Sequence, residues 1–262
     1  MIIPYFLVNS FTNKLSSGNP SGVCLLQTKL SEDQMQMIAS KINVSETAFL
    51  LGDEGGLFLR WFTPTTEIGL CGHATLGTAH ILWQEKILKD TQEAYFNSQS
   101  GPLKVRKKDE WIEMDFPFFT SRKATAPAEL LDILNIKPIY VAEVFDRYLF
   151  EVSTEKEVKL IAPDFGKLRH FKKVLVTSKS DDGSPFDFIS RYFAPSIGVN
   201  EDPVTGTSHC CLAPYWAKKL NKTEFLAYQA SARGGVVRLK LLNDIVQLSG
   251  QAVTTFHSQV TI

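Results

Sequence analysis

A few positions carry the side chains from which proton-transfer chemistry could be built. Glu46 stands in Ser45-Glu-Thr-Ala-Phe-Leu50, an otherwise apolar strand-like run. Strand alternation puts it on one face with Ala48 and Leu50. A carboxylate desolvated on that face has a raised pKa and serves as a proton shuttle near neutrality. On an edge strand facing water it would be an ordinary solvated carboxylate, and the strand alone leaves both readings open. His73 falls at the first turn of a helix expected to begin near it and run to about Glu85. There the positive dipole end lowers a histidine's pKa and favours the neutral ring; an exposed capping histidine is the alternative. Cys71, just ahead of that helix, is a candidate thiolate base, because helix N-termini depress thiol pKa. Asp202 followed by Pro203 makes a good N-cap and first-turn pair for a second helix. Thr205-Gly-Thr-Ser208 offers hydroxyls and backbone donors at the same start, suited to a substrate carboxylate.

The elements that position these residues repeat. Arg60-Trp-Phe-Thr-Pro64 matches Arg191-Tyr-Phe-Ala-Pro195 without gaps at an offset of 131 positions, half of the 262-residue chain. Continued at that offset, Cys71 pairs with Asp202 and Glu46 with Thr177. The reading is a duplicated unit of strand, loop and central helix, with two helix N-termini available to anions. Because Asp202 stands where a second thiol would be needed, the pairing argues against a two-thiol racemase and leaves a Cys–Asp arrangement open. Around this frame, Ser31-x-x-Gln34 is a capping-box start to a short helix with Met35, Ile38 and Ala39 on one face. Pro214 is expected to kink or break the second central helix. A boundary near Pro117 gives domains 1–117, completed by the final strand 252–262, and 118–251.

Composition narrows the classes. Lys plus Arg and Asp plus Glu are both 28, which removes the global charge that drives nucleic-acid or anionic-membrane binding. Hydrophobic residues at 44% supply real cores and exclude wholesale disorder. No apolar run approaches the ~20 residues that span a bilayer, and Met1–Val8 lacks the basic region of a signal peptide. Cys24, Cys71, Cys210 and Cys211 contain no C-x-x-C pair and resemble neither a disulfide framework nor a zinc site. A cytoplasmic protein without a metal is expected, with Cys210 and Cys211 in the core.

Gly18-Asn-Pro-Ser-Gly-Val23, Ser45-Glu-Thr-Ala-Phe49, Phe62-Thr-Pro-Thr-Thr-Glu-Ile-Gly-Leu-Cys-Gly-His-Ala-Thr-Leu-Gly77 and Glu201-Asp-Pro-Val-Thr-Gly-Thr-Ser-His209 together resemble the PhzF (phenazine biosynthesis-like) family, in order and over essentially the whole chain. The resemblance implies a relation to diaminopimelate epimerase and proline racemase. It implies an α+β fold of two pseudo-symmetric domains, each a curved sheet or barrel around a central helix, with the active site in the cleft between them. It implies a homodimer and a cofactor-independent isomerase acting on a small carboxylate-bearing metabolite. The family's acid/base glutamate falls on Glu46. Its binding elements fall on Gly72, His73, Asp202, Gly206 and Thr207, the last standing where a serine is common. Cys71 occupies the place of a catalytic thiol in epimerase relatives. Two further readings stay open: an epimerase using Cys71 with another base, and a non-catalytic metabolite-binding protein.

Overall fold

The computed structural model describes residues 1–261, so Ile262, the last residue of the expected closing strand, lies outside the described residues. The chain divides into two compact units: Met1–Asp115 with the segment from Ser249 onward, and Phe116–Leu248. The architecture is mixed α/β, each unit setting one long helix against the strands of a sheet.

In the first unit, strand Ile2–Ser10 pairs antiparallel with Ala252–Thr261 on one side and with Asn19–Leu26 on the other. Asn19–Leu26 then runs parallel to Glu46–Asp53, which pairs antiparallel with Gly56–Phe62. Gly56–Phe62 is parallel to Ala94–Ser98 and antiparallel to the short strand Glu67–Ile68. Alternation sorts the apolar residues onto two faces. Tyr5, Cys24 and Phe49 pack on Met35, Ile38 and Ala39 of the helix Glu32–Ile42. Phe6, Val8 and Val23 face Ile81 of the central helix Gly72–Gln84. That helix is buried on all sides, from His73 to Ala79 and again from Ile81 to Trp83.

The second unit repeats the ladder. Tyr140–Val144 is antiparallel to Arg147–Glu151, which runs parallel to Lys173–Lys179. Lys173–Lys179 is antiparallel to Phe188–Ala194, which runs parallel to Glu224–Gln229 and antiparallel to the short strand Val199–Glu201. The central helix here is Gly206–Leu220. Its Trp216 donates to Thr177 Oγ1 at 3.1 Å and stacks on Phe188.

Local signals explain many element ends. Ser31 Oγ accepts from Gln34 N–H, and Gln34 Oε1 accepts from Ser31 N–H, which closes the expected capping box. Asn43, Asn135 and Asn221 each end a helix in the left-handed region, where an asparagine is tolerated well. Pro214 does not break the helix, which runs through it from Gly206 to Leu220. Proline leaves the carbonyl four residues earlier without its helical donor, and here Phe119 N–H donates to that Cys210 oxygen at 3.2 Å.

The repeat is real in pattern but not gapless. The two central helices begin 134 positions apart, at Gly72 and Gly206, so three residues enter the second copy after its proline. The helix caps are therefore Cys71 and Thr205, and the expected pairing of Cys71 with Asp202 is wrong by that insertion. For the same reason Asp202 is not the N-cap of the second helix. Upstream the offset shrinks. Thr47 lies opposite Phe62, and Val174 lies opposite Phe193. The position matching Glu46 is thus Lys173, not Thr177, because the second hairpin has the longer turn.

Candidate active site

Glu46 opens its strand with Ser21 as its register partner, while Val23 pairs with Ala48 two residues on. Val23 packs on the central helix, so the Ser21–Glu46 pair lies on the helix-facing side of the sheet. Gly77 lets the helix come close there, since a Cβ on it would stand 3.0 Å from Ser21 Oγ. His73, in the first helical turn, meets Glu46 with Nε2 at 3.1 Å from Oε2. On its other side Nδ1 stands 3.3 Å from Asn19 Nδ2 and 3.5 Å from Cys71 Sγ. The backbone is fixed as well. Ser10 Oγ donates to His73 O at 2.7 Å, and Thr75 Oγ1 donates to Cys71 O at 2.6 Å.

Gly18 places Asn19. Its φ is +76°, and a Cβ would stand 2.4 Å from Ser10 O and from Thr12 Cγ2. Gly18→Ala is expected to cost about 1–3 kcal/mol, read as a lower urea midpoint. Gly101→Ala is its control, with φ +94° but nothing within 4 Å; equal losses would show that the contact with Ser10 is unimportant.

The electrostatics reverse three expectations. Burial pushes the Glu46 carboxyl up, but the charge and proximity of His73, with help from Ser45, outweigh it and hold the group below the usual carboxylate range. Burial pushes the His73 imidazolium down, but Cys71 and then Glu46 carry it well above its ordinary value. Cys71 goes up rather than down: burial and the neighbouring Glu46 raise it more than His73 lowers it, so the thiol stays protonated.

A pH window follows. The stabilisation owed to a depressed carboxylate is present above 4.5, its ordinary value, and is lost as pH falls through the depressed one. That owed to a raised histidine is present below 6.5, its ordinary value, and is lost as pH rises through the raised one. The stability difference between wild type and Glu46→Gln should therefore be largest between these values and shrink well above and below them. Urea titrations at acid, intermediate and alkaline pH check this; a flat difference would contradict the ion pair.

Glu46, Cys71 and His73 each bring one ligand-type atom within 4.8 Å of the others. The ring turns Nε2 to Glu46 and Nδ1 to Cys71. The Cys71 Sγ also stands 3.9 Å from Nε2, so the thiol lies along the ring edge between the two nitrogens.

In the second unit, Asp202 Oδ2 accepts from Thr205 Oγ1 at 2.6 Å, and Gln229 Oε1 accepts from Thr205 N–H at 2.9 Å. Gly206 is the first helical residue. Thr207 Oγ1 and Ser208 Oγ accept from Arg147 Nη1 at 3.3 and 3.2 Å. Arg147 is 3% exposed and lies over the Tyr192 ring. Sequence reading missed Arg147 and Gln229: neither sits in a repeated motif, and Ser21, the register match of Arg147, is a different type. The structure thus gathers Glu46, Cys71, Gly72 and His73 at one helix start, and Asp202, Gly206 and Thr207 at the other.

Among the described residues no helix is long and apolar enough to cross a membrane. The family model described as phenazine biosynthesis-like protein (PhzC-PhzF) matches residues 8–258. A Halalkalibacterium halodurans protein named as an isomerase is 49% identical, with both chains covered in full. A phenazine biosynthesis PhzF-family crystal structure from Enterococcus faecalis superposes with a TM-score of 0.95 at 38% identity, again over both whole chains. A hydroxyproline epimerase from Agrobacterium vitis, at 12% identity and a TM-score of 0.64, covers 99% of this chain and 92% of its own and shares the fold.

Proposed function

The chain belongs to the phenazine biosynthesis-like (PhzC-PhzF) family and is an isomerase, and from that premise we propose that Glu46 is the general acid/base of a cofactor-independent proton shift on a small carboxylate-bearing metabolite. The observation that carries this reading is the 3.1 Å contact between Glu46 and His73 on the helix-facing side of an apolar strand. Paired with His73, Glu46 rests ionised and accepts a proton. The C–H bond of the substrate breaks, its electron pair enters the conjugated system, and an O–H bond forms on Glu46. Glu46 then gives that proton to a different carbon as the double bond moves. Because the pair depresses its pKa, protonated Glu46 is a ready donor for the second step. Gly72 and His73 orient the substrate and stabilise its delocalised charge; at the second helix start the Gly206–Thr207 backbone donors are suited to a carboxylate, with Asp202 holding the Thr205 cap beside them.

The test is deuterium incorporation from solvent into a panel of cyclic and amino-acid carboxylates, followed by NMR, for wild type and Glu46→Gln. Incorporation by wild type that vanishes in Glu46→Gln supports the reading, and full incorporation by the variant overturns it.

A further inference from the structure

His73 has two polar neighbours besides Glu46, and they differ in kind. The Cys71 thiol is a weak hydrogen-bonding group held protonated. Asn19 is an amide, fully buried, with Nδ2 3.3 Å from His73 Nδ1. Its place is held from several sides: Gly18 leaves no room for a side chain beside Ser10, and Ser10 itself holds the His73 carbonyl. An asparagine side chain ends in one acceptor and one donor of nearly equal size, and rotation by half a turn exchanges them. The ring nitrogen opposite needs a donor when neutral and an acceptor when it bears a proton. Like a hydroxyl, the amide serves both states from one position without gaining or losing a charge.

We propose that Asn19 is the positioning residue for His73, presenting its amide nitrogen to Nδ1 when the ring is neutral and its carbonyl oxygen when the ring is charged. It thereby sets the charge that Glu46 faces. With the carbonyl turned to the ring, His73 stays cationic and Glu46 is a weak base and strong acid. With the nitrogen turned to it, His73 is neutral, and burial makes Glu46 the stronger base. The inference rests on the acid/base reading of Glu46 for its use, but not for its geometry. The titratable groups facing His73 are Glu46 from its strand and Cys71 from the helix cap; Asn19 adds the uncharged contact from the neighbouring strand.

The test is an NMR titration of full-length protein labelled with 15N-histidine, reading the Nδ1 and Nε2 shifts of His73 in wild type, Asn19→Asp and Asn19→Leu. Asn19→Asp puts a fixed acceptor at Nδ1 and should raise the protonation constant of His73 at least tenfold. Asn19→Leu removes the acceptor of a charged N–H, which costs more than removing the donor to a neutral nitrogen, and should lower that constant at least tenfold. Constants within threefold of wild type in both variants would overturn the proposal. If Asn19→Leu does not fold, Asn19→Asp decides alone. No substrate enters this measurement. Its failure is therefore separate from failure of the exchange experiment, where a wild type that incorporates no deuterium, or an unaffected Glu46→Gln, defeats the reading of Glu46 while leaving the titration result standing.

Discussion

Glu46→Gln is expected to lower solvent-deuterium incorporation by about a hundred- to ten-thousand-fold, the range that a positioned acid/base group contributes. Glutamine keeps the length and planarity of the side chain and can still contact the His73 ring, so the loss reads the missing proton acceptor and not a missing contact. Cys71→Ser separates the competing thiol chemistry. Burial and Glu46 hold the thiol protonated, and a racemase of two thiols has no second one at Thr205, the matching cap. Cys71→Ser should therefore retain incorporation within about tenfold of wild type, one pKa-unit's worth of altered electrostatics beside His73. If Cys71→Ser abolishes exchange and Glu46→Gln spares it, the epimerase reading replaces the one proposed here.

The second large effect concerns stability and compares two arginines that the repeat makes equivalent. Arg60 grips Glu67 with Nε and Nη2, both at 2.6 Å. Arg191 grips Glu201 with Nε and Nη2 at 2.7 and 2.9 Å. Each pair ties a long strand to a short one, yet the Arg60 side chain is 31% exposed and that of Arg191 only 11%. Arg191 Nη1 also donates to Ile161 O at 2.6 Å and approaches the Val158 and Lys159 carbonyls at 3.4 Å, where the helix Glu155–Leu160 ends. Arg191→Met leaves Glu201 without its cation and strips those carbonyls of a donor, so a loss of about 3–5 kcal/mol is expected. Arg60→Met breaks a screened pair and should cost about 1 kcal/mol or less. Urea unfolding reads both, because Trp216 is the one tryptophan of the second unit and Trp61, Trp83 and Trp111 belong to the first. Equal losses would show that burial does not distinguish the two copies.

That comparison also marks what a single sequence discloses. The motif Arg-aromatic-Phe-x-Pro exposed the duplication, since both copies need an arginine and an aromatic at the same strand positions. It could not expose the three-residue insertion after the second proline, because loop length leaves no trace in strand periodicity. Glu46 was legible as a carboxylate in an apolar strand, with its facing left open between core and water. Its charge was not, because an apolar neighbourhood raises a carboxylate only when no cation faces it, and His73 reaches it through the fold. Asp202 was legible as a helix-start residue, but the cap fell to Thr205, which Gln229 and Asp202 hold from both sides. Arg147 stayed hidden in an unremarkable strand start, where only the ladder of the second unit brings it to Thr207.

The pairing of Ile2–Ser10 with Ala252–Thr261 carries a consequence for synthesis on the ribosome. The second unit is one uninterrupted stretch and holds all of its residues before position 249 is translated. The first unit begins emerging earliest yet is completed last, and until the final strand arrives the strand Ile2–Ser10 shows one edge of unpaired backbone. Such an edge recruits foreign strands. A nascent chain thus carries a sticky margin on that strand until residues 252–261 emerge, which is the period when chaperone protection matters to it.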